Sequence, residues 1–456
     1  MTDSVRQQRG RELTSSRSVD VFAERLFDYL PRADQRRWAH AYLTALITTQ
    51  GKKSMRRLAE SVSTSPTAWY SLQQFINNSP WEWEPARDAL TRWVEERSSV
   101  RAWALTPVVL PKRGRHSVGV HQRFVASAGR SLNCQVGIAL FLSCPGANFP
   151  VNWRLFLPRP WDRDPELRRR ARIPETACFR PQWRQMLDLV DHVAGRSASP
   201  GVPVVADMSD APDLAELTSR LDGTRRDFVV VVHSRFLAPD RGARERSPAA
   251  GALTGGRAGH GVLVGGPPVP EAQRTWSRHI AAMTGADGRF RQAQILSALT
   301  WQHNGGERRA YRLLTELDAE GEPTSRVWLT NLVHHRLDEL LELTRLYISS
   351  TITADCLDGN YGLLDFAGRS FPAWHHHMTM VSAAYAHMRL AHAGHPVEPV
   401  PVRRQGTPAP AGAPPPYGRQ VVIQRPTTVE PASATGAVAL PRSLSAASDG
   451  DPGSAV

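Results

Sequence analysis

The side chains in this sequence best suited to chemistry are cationic. Lys52, Lys53, Arg56 and Arg57 form one cluster, Lys112, Arg113 and Arg115 a second, and Arg168, Arg169, Arg170 and Arg172 a third. Guanidinium forks and ammonium point charges at this density suit phosphate oxygens. Neighbouring helical positions point in different directions, so not all four of Arg168, Arg169, Arg170 and Arg172 can serve one phosphate row. The third cluster therefore reads equally as a nucleic-acid contact or a solvated helix. Asp207 ends the apolar run Val202–Asp207, where a carboxylate can cap the helix that follows. His334-His335 and His375-His376-His377 invite a zinc reading. Adjacent histidines point apart, however, and no Cys or acid lies at ligand spacing. Cys134, Cys144, Cys178 and Cys356 form no CxxC pair, which fits a reduced interior. Gly265-Gly266 and Gly305-Gly306 lack the strand-to-helix setting of a phosphate-cradling loop.

The elements that must position these groups follow from hydrophobic spacing. Residues 20–97 read as helical, with apolar residues recurring at three and four. Within them Ser54–Val62, a Ser-Thr-Ser-Pro turn and Thr67–Ile76 make a helix-turn-helix pattern. On that reading Thr67, Trp69, Tyr70, Gln73 and Gln74 face a DNA groove, flanked by phosphate contacts from Lys52, Lys53, Arg56 and Arg57. The alternative is a helical bundle packed through Trp69, Leu72 and Phe75. Glu84–Glu96 is a further helix, and a boundary falls near Ser98. Trp103–Leu110, Ser117–Ala126 and Asn133–Leu142 read as three consecutive strands, followed by a long excursion over Pro145–Ile173.

Gln182–Ala194 is an amphipathic helix leading to the strand that ends at Asp207. Helix Ala211–Asp222 and strand Asp227–His233 come next. This alternation predicts an α/β core covered on both faces. Arg235–Gly266 reads as a mobile loop, and Ala293–Gln302, Ala310–Asp318 and Ser325–Leu332 as strands. From Gly394 onward Pro, Ala, Gly and Ser dominate, a composition that predicts disorder.

The chain has 456 residues and a formal charge of +13, which favours a polyanionic partner. Lys52, Lys53 and Lys112 are its only lysines, so the charge is nearly all Arg, a bias that a high-GC coding sequence would also produce. Met1–Arg17 is polar, and no apolar run approaches the roughly 20 residues of a membrane span. These features predict a cytoplasmic, nucleoid-associated protein with no membrane partner.

Several blocks in fixed order carry a family resemblance. They are Pro111-Lys112-Arg113-Gly114, Ser117–Val120, Ser127–Arg130, Asn133–Gly137 and Trp153–Pro158. Trp161, Asp164–Glu166, Arg172–Glu175, Gly362–Ser370 and Trp374–His377 continue the series. Over roughly Val19–Leu390 the chain resembles bacterial DDE-type insertion-sequence transposases, whose core is the DDE superfamily endonuclease domain. The resemblance implies an α/β ribonuclease-H-like core with a helical N-terminal domain, a β-rich insertion before the last catalytic helix, and a disordered C-terminal tail. The expected divisions are 1–18 disordered, 19–98 helical, 99–395 core with an insertion at about 235–332, and 396–456 disordered.

Family chemistry uses three carboxylates holding two divalent ions about 4 Å apart, with Mg²⁺ the expected metal. The first family Asp falls at Thr106, the second is retained as Asp207, and the third group, a helical Glu, falls at Thr351. The helical signature's Arg falls at Tyr347 and its Lys at Asp358, while a further Glu common in the family is Ala367. Asp210 and Asp355 are the nearby acids that could stand in.

The resemblance thus implies a transposase-family DNA-binding protein that has lost its nuclease, a domesticated regulator or a remnant, needing no cofactor. An active two-metal transposase using Mg²⁺ and a protein-interaction scaffold are the alternatives. Double-stranded DNA is the expected partner, and a homodimer is compatible with this reading. The triple His falls in a family block, where it packs or touches DNA.

Overall fold

The computed structural model describes residues 18–125, 128–237, 276–284, 290–304 and 307–391. The expectations of a frayed start, of a mobile loop over most of Arg235–Gly266 and of a disordered tail fall outside these residues.

Five helices come first: α1 (18–27), α2 (Ala33–Thr48), α3 (Met55–Val62), α4 (Ala68–Asn77) and α5 (Glu84–Glu95). Leu58, Leu72, Phe75 and Ile76 of α3 and α4 are buried together with Tyr42 and Leu46 of α2. The core then runs β1 (Ala102–Pro111), β2 (His121–Val125), β3 (Arg130–Cys144), β4 (Ala147–Leu155), α6 (Arg159–Arg163), α7 (Pro165–Ala171) and α8 (Gln182–Ala194). It continues as β5 (Val204–Asp207), α9 (Leu214–Gly223) and β6 (Phe228–Val232). Strands β7 (Ser277–Thr284), β8 (Phe290–Asn304), β9 (Glu307–Leu317) and β10 (Pro323–Thr330) follow, then α10 (Leu337–Tyr361) and α11 (Phe371–Ala391).

All ten strands join one sheet, in the order β3-β1-β5-β6-β10-β9-β8-β7, with β2 and β4 both on the far side of β3. The β4-β3-β1 part is antiparallel, whereas β5 and β6 run parallel to β1. That is the ribonuclease-H-like α/β arrangement. The three core strands differ from expectation, because the third is β4, inside the stretch read as an excursion. Its buried Asn148 and Asn152 and its Pro150 at a register shift interrupt the apolar run. In the stretch read as the second strand, Val118–Val120 is a buried turn with Gly119 at φ +74°, and only His121–Val125 is strand. The β-rich region adds to the core sheet directly, because β10 pairs antiparallel with β6. β7 has no counterpart in the sequence reading. Among the described residues no helix is long and apolar enough to cross a membrane.

Helix α11 runs through the interior, buried almost along its full length. Trp374, Trp153 and Trp103 are all fully buried. Truncating a buried aromatic of this size to Ala costs about 3–5 kcal/mol. Gly137 on β3 makes the contact possible: a Cβ there would lie 3.0 Å from Trp374 Cζ2 and 3.3 Å from Trp153 Cε3.

Candidate functional site

Parallel pairing of β1 with β5 matches Leu105 to Ala206, so Thr106 and Asp207 are the next residues on adjacent strands. Helix α10 packs across both strands and sets the Tyr347 phenol beside Thr106 and Asp207. Tyr347 is buried, edge-on to Trp328 at 5.7 Å between ring centroids. Burial first, and the Asp207 charge second, push its pKa upward, so the phenol stays neutral. Asp207 Oδ1 also accepts from Ser209 N at 3.0 Å and Ser209 Oγ at 2.6 Å, a turn that ends the strand. Thr351 lies one turn beyond Tyr347, and its hydroxyl donates back to Ile348 O at 2.7 Å.

Thr106 and Asp207 lie side by side with Tyr347 against them, and of these only Asp207 carries a carboxylate. A threonine hydroxyl is neutral and cannot replace it. The two acids weighed as substitutes do not complete a set. Asp210 accepts from Gln182 N at 2.9 Å and from Trp183 N, so it anchors the start of α8. Burial raises its pKa, with Asp207 adding to the effect. Asp355 is exposed on α10. Among the described residues no group of three or more His, Cys, Asp or Glu could hold a metal ion. The donors present do not fit a pair of dications, which needs several hard anionic oxygens.

Around the site the cations divide into two kinds. Lys52, Arg56, Arg57, Tyr70, Gln73, Arg113 and Arg115 are exposed, and Tyr70 keeps 54% of its surface in solvent. Arg57 also donates to Gln50 O at 2.8 Å. Other residues expected to face a partner are occupied within the fold. Lys53 is 5% exposed; its ammonium sits on Thr49 O and its backbone N–H donates to Asp365 Oδ2 at 2.6 Å. Lys112 Nζ donates to Phe366 O at 3.0 Å, and burial lowers its pKa to about 8 against the opposing pull of Asp365 and Asp358. Both lysines thus pack onto the Gly362–Ser370 segment. Arg168 donates to Ala177 O at 2.9 Å and Pro174 O at 2.8 Å, bracing the loop after α7. Arg169 stays exposed, paired with Glu166 at 2.8 Å.

The triple His packs rather than facing outward. His376 lies between Ile76 O and Trp81 O at 2.9 and 2.8 Å, and His377 between Tyr42 Oη and Gly362 O, each at 3.1 Å. Burial lowers the pKa of His376 to about 4 and of His377 to about 3. Sequence reasoning missed Tyr347 as the side chain that fills the space between Thr106 and Asp207. It also missed Arg87, an arginine on α5 that is buried with four side-chain or backbone partners. Neither carries a sequence signal: one tyrosine on an apolar helix, and one arginine on an amphipathic one, look ordinary.

The family model described as DDE superfamily endonuclease matches residues 25–308. Among solved structures the chain is similar to a piggyBac transposase in a synaptic complex with hairpin DNA, at 10% identity and a TM-score of 0.38. That likeness covers 82% of this chain and 66% of that one, so the chain spans slightly under two thirds of its length. No curated protein matches the sequence.

Proposed function

The chain belongs to the DDE superfamily endonuclease family, and on that premise we propose that it is a transposase-family DNA-binding protein that no longer cuts DNA. The observation that carries this reading is the meeting of Thr106 in the middle of β1, Asp207 at the end of β5 and Tyr347 on α10. The family's metal pair would need carboxylates there, and a neutral hydroxyl and a neutral phenol stand beside the single acid. Losing one carboxylate facing a dication forfeits several kcal/mol at an effective dielectric of about 20. Losing two leaves the attacking and leaving oxygens without their charge stabilisation. Mg²⁺ is accordingly not required by this reading, and a regulator or a remnant both satisfy it.

The DNA-facing surface in this reading comprises Lys52, Arg56 and Arg57 beside α3, Tyr70 and Gln73 on α4, and Arg113 and Arg115 at the turn after β1. These groups are exposed and bear cationic or groove-reading side chains. Lys53, Lys112 and Arg168 are left out of it, because their polar atoms bond to the protein's own carbonyls. A second copy of the chain is part of the same proposal.

Fluorescence anisotropy with duplex DNA over a salt series tests the binding. Log affinity should fall linearly with log salt, with a slope near −0.9 per phosphate neutralised. The Arg113→Ala/Arg115→Ala variant should flatten that slope by up to about 2. No affinity at low salt would favour a protein-interaction scaffold and defeat the proposal.

A further inference from the structure

A cavity of about 300 Å³ opens between α5, β4, α8 and α11, on surfaces that the DNA reading does not use. Trp83, Trp153 and Phe371 give it flat apolar walls. Most of its polar groups have partners. Arg180 pairs with Asp188 at 2.6 Å, and Glu84 Oε2 lies 3.3 Å from His192 Nε2.

Two donors remain. Arg154 Nε is buried with no hydrogen-bond partner, and no ion pair to its guanidinium occurs among the described residues. His375, 4% exposed, has Nδ1 at 3.1 Å from Arg87 Nη2. A guanidinium only donates, so Nδ1 accepts, and the proton of the neutral ring sits on Nε2. That Nε2–H is buried and has no partner either. Leaving a buried donor unsatisfied costs about 1–3 kcal/mol, and both residues line the cavity, where an acceptor would offset that cost.

The charges agree with the donors. Arg87, behind the cavity, bonds only to neutral groups: Thr379, Asn152, Trp153 O and His375. Setting Arg87, Arg154 and Arg180 against Glu84 and Asp188 leaves one positive charge uncompensated when the imidazoles are neutral. Ligand cavities of roughly this size, about 300 Å³ and upward, characteristically combine apolar walls with a few placed polar groups.

We propose that this cavity binds a small monocarboxylate with a flat apolar body. The carboxylate would sit on the Arg154 guanidinium and the His375 Nε2–H, and the body against Trp83, Trp153 and Phe371. Such a ligand would bridge the helical N-terminal region to the core sheet, because its walls come from α5 on one side and β4 and α8 on the other.

Calorimetric titration of the full chain with benzoate, its neutral isostere benzamide and inorganic phosphate tests the proposal. Benzoate should bind at one site, benzamide about tenfold or more weakly, and Arg154→Gln should weaken benzoate by about tenfold or more. Phosphate should not displace benzoate. If Arg154→Gln does not fold, Arg154→Lys is read in its place, with benzoate weakened about threefold or more by loss of the planar fork. Absence of benzoate binding at millimolar concentration overturns the proposal. So does equal binding of benzamide, displacement by phosphate, or a benzoate affinity that ignores Arg154.

Discussion

Thr106 and Tyr347 change the charge where β1 runs beside the end of β5. An acid at Thr106 would sit beside Asp207 on the neighbouring strand, and without a cation one of the pair would have to take up a proton. Thr106 avoids that conflict, and the Tyr347 phenol lies beside both residues. Tyr347→Phe keeps the ring against Trp328 and removes the hydroxyl beside Thr106 and Asp207. It should destabilise the protein by about 1–2 kcal/mol in urea unfolding; an unchanged midpoint would mean that the phenol holds nothing together. The adjacency of Thr106 and Asp207 was legible in the sequence, because both fall at family-like positions on apolar strands. The burial of Lys53 was not. It depends on Gly362, in the left-handed region at φ +70°, where a Cβ would lie 2.4 Å from Lys53 Cγ. Contacts between residues so distant in sequence leave no local pattern.

Among the elements, α11 links the helical region to the sheet, and its three adjacent histidines make its packing pH-sensitive. His376 and His377 are held neutral by burial, with pKa values near 4 and 3, and His375 lies well below its ordinary 6.5. Folded pKa values below the unfolded one mean that the unfolded chain binds more protons between them. The stabilisation is therefore complete above about pH 6.5 and is lost as pH falls toward the folded values, by up to about 1.4 kcal/mol per pH unit for each ring. The urea midpoint should drop steeply from pH 7 to pH 5. A flat profile would contradict the burial of the three rings. Gly137→Ala tests the contact of this helix with β3 and should cost about 1–3 kcal/mol through overpacking against Trp374; a neutral effect in thermal melts would show that the two tryptophans can yield. Helices α8 and α9 were readable from their spacing, and β6 from its valines. Strand β4 was hidden by Asn148, Pro150 and Asn152, polar or ring-closed residues buried by the neighbouring helices.

Over the whole molecule, one sheet runs from the three antiparallel core strands through β5 and β6 into the four strands of the β-rich region. The class of this core followed from strand and helix alternation, whereas the direct joining of β10 to β6 did not. Strand partners across 95 residues, from Val232 to Val327, cannot be read from periodicity. The basic groups beside α3 and after β1, with Tyr70 and Gln73 on α4, lie outside the packed interior, while Asp207 is flanked by the neutral side chains of Thr106 and Tyr347. Binding and cutting are thereby separable. Supercoiled plasmid with excess protein in Mg²⁺ or Mn²⁺ gives the most direct test, comparing the natural sequence with Asp207→Ala. The account predicts that the plasmid is bound yet stays supercoiled with both proteins. Metal-dependent nicking by the natural sequence, abolished in Asp207→Ala, would contradict it.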